Sequence, residues 1–249
     1  MHILNFKQFA AAAALSLAVA GVSAQEHLVI KRAFDLPPSA DLLYKIDARK
    51  KGITLGGDAA VTWRAGKGLY SAGNVARASF LGKILDNLTE GSVDAYGLAP
   101  NQFHEKRFRK DPTLAIFDRA NKKLSFSDGN AQYPLLGGEQ DRSSVQWQLA
   151  AVARAAPEKF VAGSEWKFFV AGRRDAQVWS FKVLGNEILR TPMGNMRAVH
   201  FIKESAADTS AQHVDLWLAP GHEWYPVKLR ISEADGEFVQ QTIEKITKK

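Results

Sequence analysis

Short runs in which apolar and polar residues alternate recur along this chain, and they constrain its fold more than any other feature. In "AAVTW" the residues Ala59, Val61 and Trp63 share one face; in "EWKFFV" Trp166, Phe168 and Val170 do so. The same holds for Trp179, Phe181 and Val183 in "VWSFKV" and for Val227, Leu229 and Ile231 in "PVKLRIS". A period of two is what a half-buried strand requires. Reversal signals fall between the runs, at Gly66-Lys67-Gly68, Ser127-Asp128-Gly129-Asn130, Ala171-Gly172-Arg173 and Ala234-Asp235-Gly236. The pattern is that of an antiparallel meander. One segment breaks it: in "SSVQWQLAAVARAAP" Ser143 is placed as an N-cap with Gln146 three residues on. Val145, Leu149, Val152, Ala153 and Ala156 then form one helical stripe that Pro157 closes. The expected fold is mainly β, an antiparallel, strongly curved sheet or open half-barrel of about ten short strands. One helix, about residues 144–156, packs on its concave side with Leu149 toward the sheet and Gln148 toward water.

Upstream, "MHILNFKQF" carries one lysine and precedes "AAAALSLAVAGV" and "SAQ", the layout of a secretory signal peptide with cleavage expected after Ala24. That apolar run falls short of the roughly 20 residues of a membrane span, so no transmembrane segment is expected after cleavage. Pro37-Pro38 favours extended chain. The sequence therefore divides into a signal peptide at 1–24, an extended N-terminal segment at 25–39 and a single β-rich domain at 40–249. Cysteine is absent, which excludes a disulfide framework, a thiolate metal site and a lipidated cysteine. A soluble periplasmic protein is expected. The net charge of +7 is spread along the chain and densest in "HEKRFRK", His104 to Lys110. Glu105 and Asp111 dilute this cluster, and export separates it from nucleic acid; it reads as a solvated strand face or a contact for anionic headgroups.

Three blocks, "QDRSSVQWQLAAVARAAP", "WSFKVLGNEILRTPMGNMRAVHF" and "DLWLAPGHEWYPVKLRIS", resemble successive parts of an exported bacterial family, domain of unknown function 3108. The resemblance spans roughly Ala40 to Ile246. Its most specific parts are Asp141 and Ser144 in an Asp-x-x-Ser opening, Glu187 followed by Thr191-Pro192-x-Gly194, and the run from Leu216 to Val227. It implies an uncharacterised exported protein and names no reaction.

Candidate chemistry is sparse. His213 and Asp215 share one face of a strand, and His222-Glu223 follow Pro220-Gly221, a set that could hold a metal or serve acid-base chemistry. No His-Glu-x-x-His spacing accompanies them, and a polar surface face is the plainer reading. No metal, cofactor or catalytic residue is assigned. There is no Gly-x-Ser-x-Gly elbow, and Gly56-Gly57 and Gly137-Gly138 lack the Lys-Ser/Thr of a phosphate loop and read as turns or bulges. Trp217 shares parity with His213 and Asp215, opposite Val214, Leu216 and Leu218. A large aromatic on a polar face packs between strands or touches a ligand, which makes Trp217, His213 and Asp215 the candidate ligand-binding residues. Thr191, Pro192 and Gly194 read as a structural turn, with Pro at i+1 of a type I turn. A two-residue loop opposes Glu187 to Ala198 with His200 diagonal; a three-residue loop bulged at Gly194 opposes Glu187 to Val199 with Arg197 diagonal, and is favoured.

Three functions follow. The first is a non-enzymatic binding or carrier module for an apolar or amphiphilic envelope molecule such as a lipid, since the layout resembles the half-barrel and helix of periplasmic lipoprotein and lipid carriers. The second is an envelope protein-interaction or assembly factor with a filled core and no ligand. The third is a hydrolase acting through His213, Asp215, His222 and Glu223. A continuous apolar cavity, a filled core, or convergent carboxylates and imidazoles would separate them.

Overall fold

Burial alternates from the first strand onward. In β1 (Ala40–Lys50) the residues Ala40, Leu42, Tyr44 and Ile46 point inward, and β2 (Ile53–Gly66) sets Trp63, Val61 and Ala59 opposite the first three of them. The computed structural model describes His27, residues 29–204 and residues 212–249; the signal peptide at 1–24 and its cleavage after Ala24 lie outside the described residues. The meander continues through β3 (Leu69–Ala78), β4 (Gly82–Asp94), β5 (Gly97–Arg107), β6 (Thr113–Asp118), β7 (Lys123–Phe126) and β8 (Gln132–Pro134). Then come β9 (Gln140–Asp141), the helix α1 (Ser144–Ala155), β10 (Glu165–Ala171) and β11 (Ala176–Thr191). The chain returns to β1 through β12 (Gly194–Glu204), β13 (His213–Ala219), β14 (Tyr225–Ser232) and β15 (Phe238–Lys248). All fifteen strands form one sheet that runs from β8 at one edge through β1 and β15 to β9 at the other, antiparallel except for the β9–β10 pair.

The count exceeds the ten expected, and several strands are long, with 14 residues in β2 and 16 in β11. Glycines that read as turns lie inside these strands. A Cβ on Gly57 would sit 2.1 Å from the Arg77 carbonyl oxygen, so only glycine permits that approach of β2 to β3. The pairing slips at Leu43/Tyr44, Ala76/Arg77, Glu90/Gly91, Val183/Gly185 and Trp217/Leu218, and each slip adds bend and twist. The sheet curls until its ends meet. Phe103, Phe117, Leu124 and Phe126 from β5–β7 pack there with Phe169, Ala171 and Ala176, and Arg174 donates to Asp128 at 2.7 Å. Among the described residues no strand pairing joins the two ends, so the barrel is left open.

Inside the curl lies α1. One side, with Val145, Leu149 and Val152, packs on Phe168, Val170, Phe181, Phe201, Leu216 and Leu218. From the other side Trp147 stacks on Trp63 with centroids 4.4 Å apart. The expected single stripe is thus corrected to a helix enclosed on nearly every side, because the sheet wraps it and residues 29–39 cover what remains. That segment is pinned by the Asp35 amide to the Ala151 carbonyl (2.9 Å), by the Trp63 indole to Pro37 (2.9 Å) and by the Tyr225 hydroxyl to Pro38 (2.8 Å). Gln148 does not face water: it is 2% exposed, accepts from the Leu98 amide at 2.7 Å and donates to the Tyr96 carbonyl at 2.8 Å. Nor does the Ser143 side chain cap the helix. Asp141 does so instead, its carboxylate accepting from the Ser143 and Ser144 amides at 2.8 and 2.9 Å.

The β11–β12 hairpin has the register of a two-residue loop, with Thr191 opposite Gly194, Leu189 opposite Met196 and Glu187 opposite Ala198. The favoured three-residue form is corrected, because the extra residue sits at Leu184, seven positions before Thr191, and not at the loop. Gly194 still takes a φ of 99°, and Thr191 Oγ1 closes the turn by donating to the Gly194 carbonyl at 2.9 Å.

Candidate functional site

The helix fills only part of the concavity. Beside its first turn a cavity of about 720 Å³ remains between the β1–β5 wall and the β11–β15 wall. Arg142, Ser143, Val145 and Gln146 form its floor. Its sides are the inward faces of the strands: Ile46, Leu55, Ala76 and Leu85 on one side, Phe181, Leu216, Leu229 and Ile231 on the other. Hairpin ends at Lys50, Ala78, Glu233 and Glu237 stand at its rim, where Lys50 pairs with Glu237 at 2.6 Å.

Against the apolar walls stand a few polar groups. Glu105 is buried and held by Arg107 at 2.7 Å and Arg173 at 3.7 Å. Arg142, on the floor, is different. Its Nε is buried and has no hydrogen-bond partner, and among the described residues its guanidinium forms no ion pair. Burial pulls the Arg142 guanidinium below its usual range, opposed by the charge of Glu105. Lys203 enters from β12 on the same inward parity as Phe201 and lies with its Nζ 4.8 Å from the centre of the Trp179 ring. Burial, followed by the positive charge of Arg142, lowers the Lys203 ammonium. Asn74 adds a buried Oδ1 without a partner. Two cations thus share an apolar chamber, and although the charges of Glu105 and Asp175 act on Arg142, neither cation forms an ion pair among the described residues.

Trp217, His213 and Asp215 lie elsewhere. Their parity is opposite to that of Leu216 and Leu218, which pack on α1; Trp217 is 5% exposed and belongs to the buried cluster of Leu189, Met196, Ala198 and Val227. His200 joins Asp215 and Trp217. Its Nδ1 meets Glu187 Oε1 at 2.7 Å and its Nε2 meets Asp215 Oδ1 at 2.8 Å, while its ring stacks on Trp217 with centroids 4.2 Å apart. The Trp217 indole donates to Glu187 Oε2 at 3.0 Å, and Lys228 Nζ lies 4.4 Å from the indole centre. The large aromatic on a polar face is therefore an anchor for an ion cluster. His213 is exposed, opposite Ser232, and takes no part in it. Glu223 is engaged by Arg154 and by Lys248, the latter at 2.5 Å, so His213, Asp215, His222 and Glu223 do not converge. Among the described residues no group of three or more His, Asp or Glu side chains is placed to hold a metal ion.

Sequence reasoning passed over Arg142 and Lys203. The signal for Lys203 was its parity with Val199 and Phe201 in "VHFIK"; for Arg142 it was a cation beside the first turn of a buried helix.

Comparison with known structures places this arrangement. A β-barrel-like protein of domain of unknown function DUF1849 from Brucella abortus superposes with a TM-score of 0.56 at 13% identity, over 87% of this chain and 100% of that one. That likeness is one of fold. Weaker matches include a candidate outer membrane lipoprotein-sorting protein domain from Vibrio parahaemolyticus, with TM-score 0.35 and 9% identity over 85% of this chain and 86% of that one. Another is a candidate exported protein with a YmcC-like fold from Bacteroides fragilis, with TM-score 0.33 and 10% identity over 88% of this chain and 100% of that one. No curated protein matches the sequence. The family model described as "Protein of unknown function (DUF3108)" matches residues 43–243, and the chain belongs to that family.

Proposed function

We propose that this protein is an exported, non-enzymatic binding or carrier module for an amphiphilic molecule of the cell envelope, acting in the periplasm after removal of residues 1–24. In this reading residues 25–39 are an extended lead-in to one β-rich domain at 40–249. Among the described residues no helix is long and apolar enough to cross a membrane. The observation that carries the proposal is the cavity of about 720 Å³ with mainly apolar walls, left open by a helix that fills only part of the curl. Its size falls within the roughly 300–1,000 Å³ of small-molecule sites. A filled core, the mark of a ligand-free assembly factor, is not what these walls enclose. The hydrolase reading lacks converging groups. Trp217 and Asp215 belong to the ion cluster of His200 and Glu187, and no ligand contact is required of them.

The test is binding of an apolar fluorescent dye, N-phenyl-1-naphthylamine, to wild type and to Val214→Trp, which places an indole in the cavity wall. Wild type is expected to bind saturably, and Val214→Trp to bind at least about tenfold more weakly with an unchanged melting temperature. Absence of dye binding by wild type would favour the assembly factor.

A further inference from the structure

The walls explain room for hydrocarbon but not the two cations on and beside the floor. Burying one charge without a partner is costly, and placing a second like charge within its field adds to that cost. Glu105 and Asp175 lower that cost by their charge, but neither forms an ion pair with Arg142. Glu105 is already shared by Arg107 and Arg173, and Arg173 and Arg174 both reach Asp128. At the rim the charges are balanced, Lys50 against Glu237, so the excess of positive charge is confined to the deep end. A fork of N–H donors with an unpartnered Nε, next to an ammonium held against an indole, matches the oxygens of a carboxylate or phosphate.

We propose that the cavity takes an amphiphile with an anionic head, its carboxylate or phosphate oxygens seated between Arg142 and Lys203 and its hydrocarbon laid along Leu85, Phe181, Leu216 and Leu229. The proposal rests on the carrier reading and adds the ligand class to it. The head lies at the deep end and the tail runs toward the rim. The volume limits the ligand to a small amphiphile and excludes a folded protein chain.

Three probes with one oleoyl chain test it by displacement of N-phenyl-1-naphthylamine: oleate, 1-oleoyl-lysophosphatidic acid and neutral 1-oleoylglycerol. Wild type is expected to bind at least one of the two anions about tenfold or more tightly than the neutral glyceride, and the better of the two identifies the head as carboxylate or phosphate. In the double variant Arg142→Gln, Lys203→Gln that preference should vanish while affinity for 1-oleoylglycerol stays within about twofold. Arg142→Lys, which keeps the charge, should retain part of the preference, and it serves as the folded comparison if the double variant does not fold. Equal binding of all three probes by wild type overturns the anionic head and leaves the carrier intact. A preference that survives in the double variant overturns the seat assigned here. Binding of none of the probes, with none of the dye, overturns the carrier reading itself.

Discussion

His200 is held at both ring nitrogens by carboxylates, an arrangement suited to an imidazolium, which donates from both. Burial lowers its pKa, but the hydrogen bonds to Asp215 and Glu187 and their charges outweigh burial, and the net shift is upward. The charges facing it from neighbouring strands are Glu187, Asp215 and, across Trp217, Lys228. With the folded value above the unfolded one, the stability that His200 contributes is complete below about pH 6.5 and is lost as pH rises through the folded value. Asp141 acts in the same direction in a lower window. Burial pushes its carboxyl from 3.8 up to about 6, despite hydrogen bonds from Thr89, Ser143 and Ser144, so its contribution declines as pH rises between those values. Urea midpoints across pH 4–8 should show both declines in wild type. His200→Gln should flatten the upper one and Asp141→Asn the lower one; a wild-type slope unchanged in His200→Gln would remove the role given to that cluster.

Helices and strands carry the clearest lesson on what could be read from sequence. Trp63, Trp179, Phe181 and Leu229 declared their inward faces by alternation alone, and those faces became core and cavity wall. Gln148 did not, because a polar residue on a helix reads as solvent-facing unless the turn it will grip is known, and that turn, at Tyr96 to Leu98, lies 50 residues away. The same limit applies to strand length. Gly56-Gly57 reads as a turn or a bulge in sequence, yet it lies inside β2, where Gly57 permits the close approach of β3. The register of the β11–β12 hairpin was misjudged because Leu184, the residue that slips, carries no mark in sequence. For α1 the expectation follows from its enclosure. Gln148→Ala strands the Leu98 amide and the Tyr96 carbonyl and should cost about 2–4 kcal/mol. Leu149→Ala should cost about 2–5 kcal/mol, so the two variants should unfold at similar urea concentrations. A Gln148→Ala midpoint equal to that of wild type would show that the side chain is not needed to hold that turn.

On the scale of the whole molecule, fold class and family could both be read from the chain, whereas the cavity could not. Its existence depends on how much of the curl the helix occupies, a matter of volume that no periodicity encodes. The joint between the two ends of the sheet has a kinetic consequence. Glu105 and Arg107 on one side of it and Gln177 and Trp179 on the other all border the cavity, and the ends are held by side chains such as Phe117 and Phe169 and by Arg174 with Asp128. Parting them breaks no ladder of backbone hydrogen bonds, so the joint can open while every strand pair stays intact. A thiol at the joint, Ala115→Cys, should therefore react with a thiol reagent well before one at Ala59→Cys in β2, although both positions are 1% exposed in the closed protein; equal rates would exclude such a motion. For the carrier proposed above, a clasp of this kind would let a flexible tail slip in sideways on the timescale of breathing, while the ladder that shapes the chamber stays zipped.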